Sequence, residues 1–226
     1  MTVSLPARPP APLAANRVVH RGDGVEWLRT HPLPADHAIV TSLPDASEVK
    51  NASGWREWFV ATAELACRQV ADEAVAMFFQ TDVKRDGRWV DKAYLIQRGA
   101  EAAGSHLLWH KVVCRVAPGT ITMGRPAYAH LLCFSRALRL APGRSTPDVL
   151  PALGEMTWVR AMGTAACAAA AEFLLAETAC RTVVDPFCGI GTMLAIANTH
   201  GLAAIGVEIS RRRAAKAARF VLSAGT

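Results

Sequence analysis

The chain has 226 residues, 51% hydrophobic and 19% charged, a balance that suits a packed core and excludes a disordered chain. Its formal net charge of +6, carried mostly by arginine, permits an anionic partner without identifying one. No apolar run reaches the roughly 18–20 residues of a membrane-crossing helix, and "MTVSLPARPPAPLAANR" lacks the charged start and apolar stretch of a signal peptide, so a cytoplasmic protein with no membrane partner is expected.

Residues 1–16, rich in proline and alanine, read as a loose arm, and residues 17–226 as one domain. Arg17 to His20 is strand-like, Gly22-Asp23-Gly24 a turn and Val25 to Arg29 a short helix. His37 to Thr41 is an apolar strand broken by Leu43-Pro44-Asp45. Trp55 to Val70 carries apolar residues at 55, 58, 59, 62, 65, 66 and 70, close to a helical stripe. Val75 to Phe79 is a short apolar strand, followed by a charge-dense loop over residues 80–92. Asp91 to Ala103 predicts a helix stopped by Gly104, and Leu107 to Val113 with Tyr128 to Phe134 an antiparallel pair. The Pro/Gly-rich stretch 141–157 reads as a linker between residues 17–140 and 158–226. Met162 to Glu177 is a helix, and Arg181 to Val184 and Ala203 to Val207 are the last two strands. Six cysteines occur without a C-x-x-C pair or a histidine cluster, which predicts buried thiols and no metal site.

The last two strands flank "DPFCGIGT", a strand–glycine turn–helix unit that closes on Glu208. Gly189 and Gly191 let the backbone approach a ligand and take positive φ, and an acid at the second strand end can accept hydrogen bonds from ribose hydroxyls. A dinucleotide site would prefer a third glycine where Leu194 stands. With Asp185 at the strand end and no basic residue in the loop, a cationic ligand fits better than a pyrophosphate.

"DPFCGIGT" followed by "GVEIS" resembles the cofactor loop of Rossmann-type S-adenosylmethionine methyltransferases, closest to those acting on nucleic-acid amino groups. The resemblance covers about residues 17–222. It implies an α/β fold with a seven-stranded mixed sheet and helices on both faces, in circularly permuted order. S-adenosylmethionine is the cofactor it implies, with Asp185, Phe187, Gly189 and Gly191 along the methionine part, Glu208 at the ribose and Asp23 at the adenine.

"TSLPD" falls where such enzymes carry a polar residue, two prolines and an aromatic. Matched in place, Ser42 is the polar acceptor for the target amine, Leu43 replaces the first proline, Pro44 keeps the second and Asp45 replaces the aromatic. Asp45 cannot stack on a base, so the aromatic would come from Trp55, Trp58 or Trp89, while Asp45 becomes a candidate proton acceptor or a simple turn cap. Lys84, Arg85 and Trp89 are candidates for contacting a polynucleotide, and Arg212, Lys216 and Arg219 form a basic helix face. His110 reads as a structural histidine. The implied function is a nucleic-acid base-amine methyltransferase, with RNA favoured over DNA because the chain has no room for a large recognition insert. A homodimer or a recognition partner could supply that reading. A small-molecule or protein methyltransferase and a non-catalytic cofactor-binding module are the alternatives. A C5-pyrimidine mechanism is disfavoured, since neither residues 41–45 nor 80–92 hold a cysteine.

Overall fold

In the computed structural model, residues 16–48 and 53–222 are described. The expected loose arm therefore lies, but for Asn16, outside the described residues. In chain order the elements are β1 (Arg17–Arg21), α1 (Gly24–Thr30), β2 (His37–Thr41), α2 (Trp55–Gln69), β3 (Ala76–Gln80), β4 (Val83–Arg85), β5 (Arg88–Val90), α3 (Lys92–Ala102), β6 (His106–Cys114), β7 (Tyr128–Ser135), β8 (Val149–Leu150), α4 (Thr164–Glu177), β9 (Thr182–Asp185), α5 (Thr192–Thr199), β10 (Ala203–Glu208) and α6 (Arg211–Ala217).

The strands form one sheet in the order β1-β10-β9-β2-β3-β7-β6-β8, with a separate ribbon of β4 and β5. β1, β10, β9, β2 and β3 run parallel, and β7 is antiparallel to both β3 and β6. Every residue of β3 and β9 is buried, as is all of β2 but His37. Strands buried at consecutive positions have both faces covered, which is why they read as continuous apolar runs rather than alternating ones. α2 packs against both α1 and α3, and α4 against α5. Of the stripe expected from Trp55 to Val70, Trp55, Phe59, Thr62, Ala66 and Val70 are buried while Trp58 and Leu65 are partly so, and Ala63 and Cys67 join the buried face.

Most boundaries shift by a residue or two, and the reasons are local. Asp91 is outside α3 because its carboxylate caps the helix by accepting from the Tyr94 N–H. β3 runs one residue past Phe79 because Gln80, although polar, continues the ladder opposite His130. α4 starts at Thr164 rather than Met162, since Gly163 at φ 85° is non-helical. The charged stretch 80–92 is not a loop but a hairpin. Asp86 and Gly87 both take positive φ, 48° and 74°, as a tight two-residue turn requires, and set Lys84 opposite Trp89. The stretch 141–157 contributes β8 to the sheet edge beside β6. The cysteines among the described residues are all buried free thiols.

The glycine-turn strand β9, late in the chain, lies between β10 and β2. Among the described residues β1 pairs only with β10, and Arg17 ties β1 to the end of α6 and the segment after it by donating to the carbonyls of Ala217 and Phe220 at 2.9 and 2.6 Å.

Candidate active-site cleft

Because β1, β10, β9, β2 and β3 are parallel neighbours, their C-terminal ends form one row. Asp23 follows β1, while Glu208 closes β10 and Asp185 closes β9. Ser42 to Asp45 follow β2, and Gln80 closes β3. Between β9 and β2 the direction of winding changes, the place where open α/β sheets form a crevice. A cleft of about 650 Å³ opens there.

Of the residues singled out from sequence, Asp23, Asp185, Phe187, Gly189 and Glu208 line this cleft, as do Ser42, Pro44 and Asp45. Gly191 does not. It starts α5 at φ 87° and packs against Ala217, so its part is to shape the turn. Lys84, Arg85 and Trp89 also lie outside the cleft wall, on the ribbon whose base, Asp82 and Val83, belongs to it. Trp89 is exposed, with the Lys84 ammonium 6.0 Å from its ring centre. Arg212 lies on α6, and Arg219 lies beyond its end.

The acid end of the cleft is built with one oxygen held and one spare. Asp185 Oδ1 accepts from the Thr41 hydroxyl at 2.7 Å and the Phe187 N–H at 3.1 Å, with no protein donor on Oδ2 among the described residues. Burial, and then the nearby Glu208 charge, push this carboxyl up to about 7 against the lowering effect of those two hydrogen bonds. Glu208 Oε1 accepts from the Ser210 N–H at 2.7 Å and Arg213 Nη2 at 2.8 Å, likewise with no protein donor on Oε2 among the described residues. Asp23 caps α1 through Oδ1, accepting from the N–H groups of Val25 and Glu26. Gly24 lets α1 press against this loop: a Cβ there would stand 2.0 Å from the Pro186 carbonyl oxygen.

The "SLPD" loop departs from expectation at Asp45. Its carboxylate pairs with Lys92 Nζ at 3.1 Å, and Lys92 is buried, arriving from the first turn of α3. Burial lowers the Lys92 pKa, and Asp45 offsets part of that. Trp55 is wholly buried and donates from Nε1 to the Pro44 carbonyl at 3.1 Å, so it braces the loop and cannot stack on a ligand. Trp58 does line the cleft, edge-on to Phe187 with ring centres 6.2 Å apart.

Four cleft residues were not legible in the sequence. Arg115 and Arg125 come from the end of β6 and the β6–β7 connection, and Arg115 donates to the Thr81 hydroxyl at 3.1 Å. Trp158 lies on Gly189, where a Cβ would come within 2.7 Å of its ring, and faces the Arg213 guanidinium at 5.9 Å. Gln80 is buried in the wall beyond β2's loop. No periodicity or motif marks any of them. His110 is satisfied by His130 at 2.9 Å, and His130 in turn bonds Asp82 at 3.1 Å. Burial works to raise Asp82, but His130 and Lys92 together hold it below the usual carboxylate range. Asp82, Asp91 and His130 come close enough to hold a cation, a grouping the sequence spacing did not suggest.

The cleft carries Asp185 and Glu208, each with a spare oxygen, at the β9–β10 end, where Arg213 pairs with Glu208, and Arg115 and Arg125 at the other end, where buried Asp82 also lies. The spare carboxylate oxygens suit a cationic ligand carrying hydroxyls, Arg115 and Arg125 an anionic one, and the loop after β2, with Asp45 paired to Lys92, lies between them.

No protein-family model matches the chain, and neither does any curated protein. Solved structures do match. TTHA0409 of Thermus thermophilus, assigned as a DNA modification methylase and complexed with S-adenosyl-L-methionine, is 20% identical with a TM-score of 0.66, over 89% of this chain and 92% of that one. The PvuII cytosine-N4-specific DNA methyltransferase is 16% identical with a TM-score of 0.70, over 93% and 88%. The M1.HpyAVI complex with the same cofactor is 15% identical with a TM-score of 0.59, over 89% and 97%. At these identities the likeness is one of fold: a mixed α/β sheet that spans nearly the whole of each chain.

Proposed function

We propose that this protein is an S-adenosylmethionine-dependent methyltransferase acting on an exocyclic base amine of a nucleic acid. The observation that carries the reading is the row of strand ends, which sets two half-satisfied buried carboxylates beside a polar turn within one cleft. The solved structures of like fold, two of them holding this cofactor, support it. So does the strand order, in which the glycine-turn strand comes late in the chain yet lies centrally, as a circularly permuted methyltransferase sheet would have it.

The residues fit the cofactor. The spare oxygen of Asp185 would take the charge of the methionine part, the spare oxygen of Glu208 would accept from the ribose hydroxyls, and Asp23 would lie toward the adenine. Gly189 and Gly191 shape the turn, and Phe187 closes one wall. Bound S-adenosylmethionine would supply an activated methyl group on a sulfonium. The chain supplies position and partial desolvation: Ser42 and the Leu43 carbonyl accept the two N–H groups of the target amine, and Trp58 takes the stacking that Asp45 cannot provide. Asp45 is held by its ion pair with Lys92 and braces the loop, and the proton displaced from the amine leaves to water.

Nucleic acid would enter at the arginine end, with the β4–β5 ribbon at the rim presenting Lys84 and Arg85 to phosphates and Trp89 to a base. The small size of the recognition elements favours RNA, whereas two of the solved structures named above are DNA methylases. Transfer of labelled methyl to separated RNA, DNA and protein fractions, followed by nucleoside analysis, decides between them. Label confined to protein would overturn the reading. Two further outcomes are expected. Glu208→Ala should weaken S-adenosylmethionine binding about 10- to 100-fold in calorimetry, the equivalent of about 1.5–3 kcal/mol for charge-assisted hydrogen bonds. A triple Lys84→Ala/Arg85→Ala/Arg88→Ala variant should keep cofactor affinity and bind nucleic acid with a shallower salt dependence, the log–log slope falling by roughly two.

A further inference from the structure

Gln80 poses a problem that the cofactor site does not solve. It is 1% exposed, it lines the cleft, and its side-chain NH₂, itself buried, has no hydrogen-bond partner among the described residues. A buried unmade hydrogen bond costs on the order of 1–3 kcal/mol, and such groups in folded proteins call for an explanation. Asn or Ser would shorten the reach and Leu would remove the cost, so the amide makes sense if something entering the cleft accepts from it.

Its position says what that is. β2 and β3 are parallel neighbours, with Thr41 opposite Phe78. Leu43 and Gln80 come two residues beyond that pair, at the ends of the two strands, and both line the cleft. The amide therefore stands beside the loop whose Ser42 hydroxyl and Leu43 carbonyl would take the target amine. On adenine and cytosine the atom next to the amine is an unprotonated ring nitrogen, N1 or N3, which is an acceptor without a hydrogen. An extruded base whose amine meets Ser42 and Leu43 presents that nitrogen toward the next strand.

We propose that Gln80 donates to the ring nitrogen beside the target amine and so selects bases with an amine–ring-nitrogen edge. The proposal rests on the base-amine reading above and adds a specificity residue to it.

The test uses oligonucleotides carrying the site found by methyl mapping, with the target adenine replaced by 1-deazaadenine or the target cytosine by 3-deazacytosine. The wild-type protein should lose about 10- to 100-fold in kcat/KM on the deaza substrate. Gln80→Met, of similar size, should lose a comparable factor on the natural base and nearly all of its discrimination, with cofactor affinity unchanged. Comparing the two proteins on the two substrates cancels the intrinsic effect of the deaza ring on the amine. Gln80→Leu, which removes the donor without introducing a titratable group, should behave as Gln80→Met does and carries the test if the methionine variant does not fold. If both variants discriminate as the wild type does, the orphan NH₂ is met by water and the proposal is wrong. Methylation mapped to a ring carbon also overturns it. Absence of methyl transfer to any nucleic acid is a different failure, which removes the underlying reading along with it.

Discussion

Asp185→Asn should make the ligand-free protein more stable while weakening S-adenosylmethionine binding about 100-fold or more. The carboxylate is 3% exposed and pushed up to about 7, mainly by burial. A shift of that size from the ordinary 3.8 corresponds to about 4 kcal/mol of unfavourable charge burial above pH 7. Asparagine keeps an oxygen for the Thr41 hydroxyl and the Phe187 N–H and carries no charge, but its NH₂ still needs a partner, so a gain of about 1–2 kcal/mol is expected. In a chain of this size that raises Tm by about 2–4 °C per kcal/mol. The loss of affinity follows from removing the negative charge that faces the cationic part of the ligand, worth several kcal/mol at short range.

The sign of the pH dependence follows from the same shift. Between 3.8 and about 7 the folded state binds the Asp185 proton more tightly than the unfolded state does, so this group's contribution to stability falls as pH rises through that window and levels off above it. Binding a cation favours the ionised form, so below about pH 7 cofactor binding should release a proton, and above about pH 8 it should not. Titration calorimetry in buffers of different ionisation enthalpy measures that release directly. Asp185→Asn should abolish both effects; a variant less stable than wild type at about pH 8, with unchanged affinity, would remove Asp185 from its role.

The second large effect belongs to Asp45. Asp45→Ala should cost about 2 kcal/mol in denaturant unfolding, since it strands the buried Lys92 ammonium. Breaking a fully buried pair costs about 3–5 kcal/mol, but the Asp45 side chain is 35% exposed, which reduces the figure. Asp82 also remains near the lysine. The deficit should shrink as pH rises toward the lysine range, because the folded state then sheds a proton that the unfolded chain keeps. Asp45→Ala/Lys92→Met should recover most of the stability. If the double variant also recovers methyl transfer, Asp45 holds the loop and takes no part in the chemistry; if it folds and stays inactive, the carboxylate has a second task.

The acid end of the cleft is legible in the sequence because its parts are contiguous: Asp185, the glycine turn and Glu208 lie within one strand–helix–strand unit whose spacing is local. Ser42 can be placed because an apolar strand runs directly into it. The partners of these groups are not legible. Lys92 reaches Asp45 from the start of another helix, Arg115 and Arg125 arrive from an irregular connection, and Trp158 follows a stretch that reads as linker. Gln80 escapes for the opposite reason. The apolar run ends at Phe79, so the expected strand stops there and leaves outside it the one polar side chain that the strand carries into the cleft. Asp86-Gly87 is a legible hairpin turn whose three-residue flanks are too short to read as strands.

The placement of β9 has a consequence for how the protein is made. Among the described residues β1 has no sheet partner other than β10, and one edge of β2 stays open until β9 fills it. At translation speeds of about 5–20 residues per second, the interval between synthesis of β2 and of β9 is about 7–30 seconds. For that time Ala38, Ile39 and Val40, fully covered in the finished sheet, front an unpaired edge of the kind that templates aggregation. The final quarter of the chain thus caps a nascent sheet as well as completing a binding site. Since the cleft draws on the ends of β1, β9 and β10, the proposed ligand site is complete only once β10 has joined the sheet.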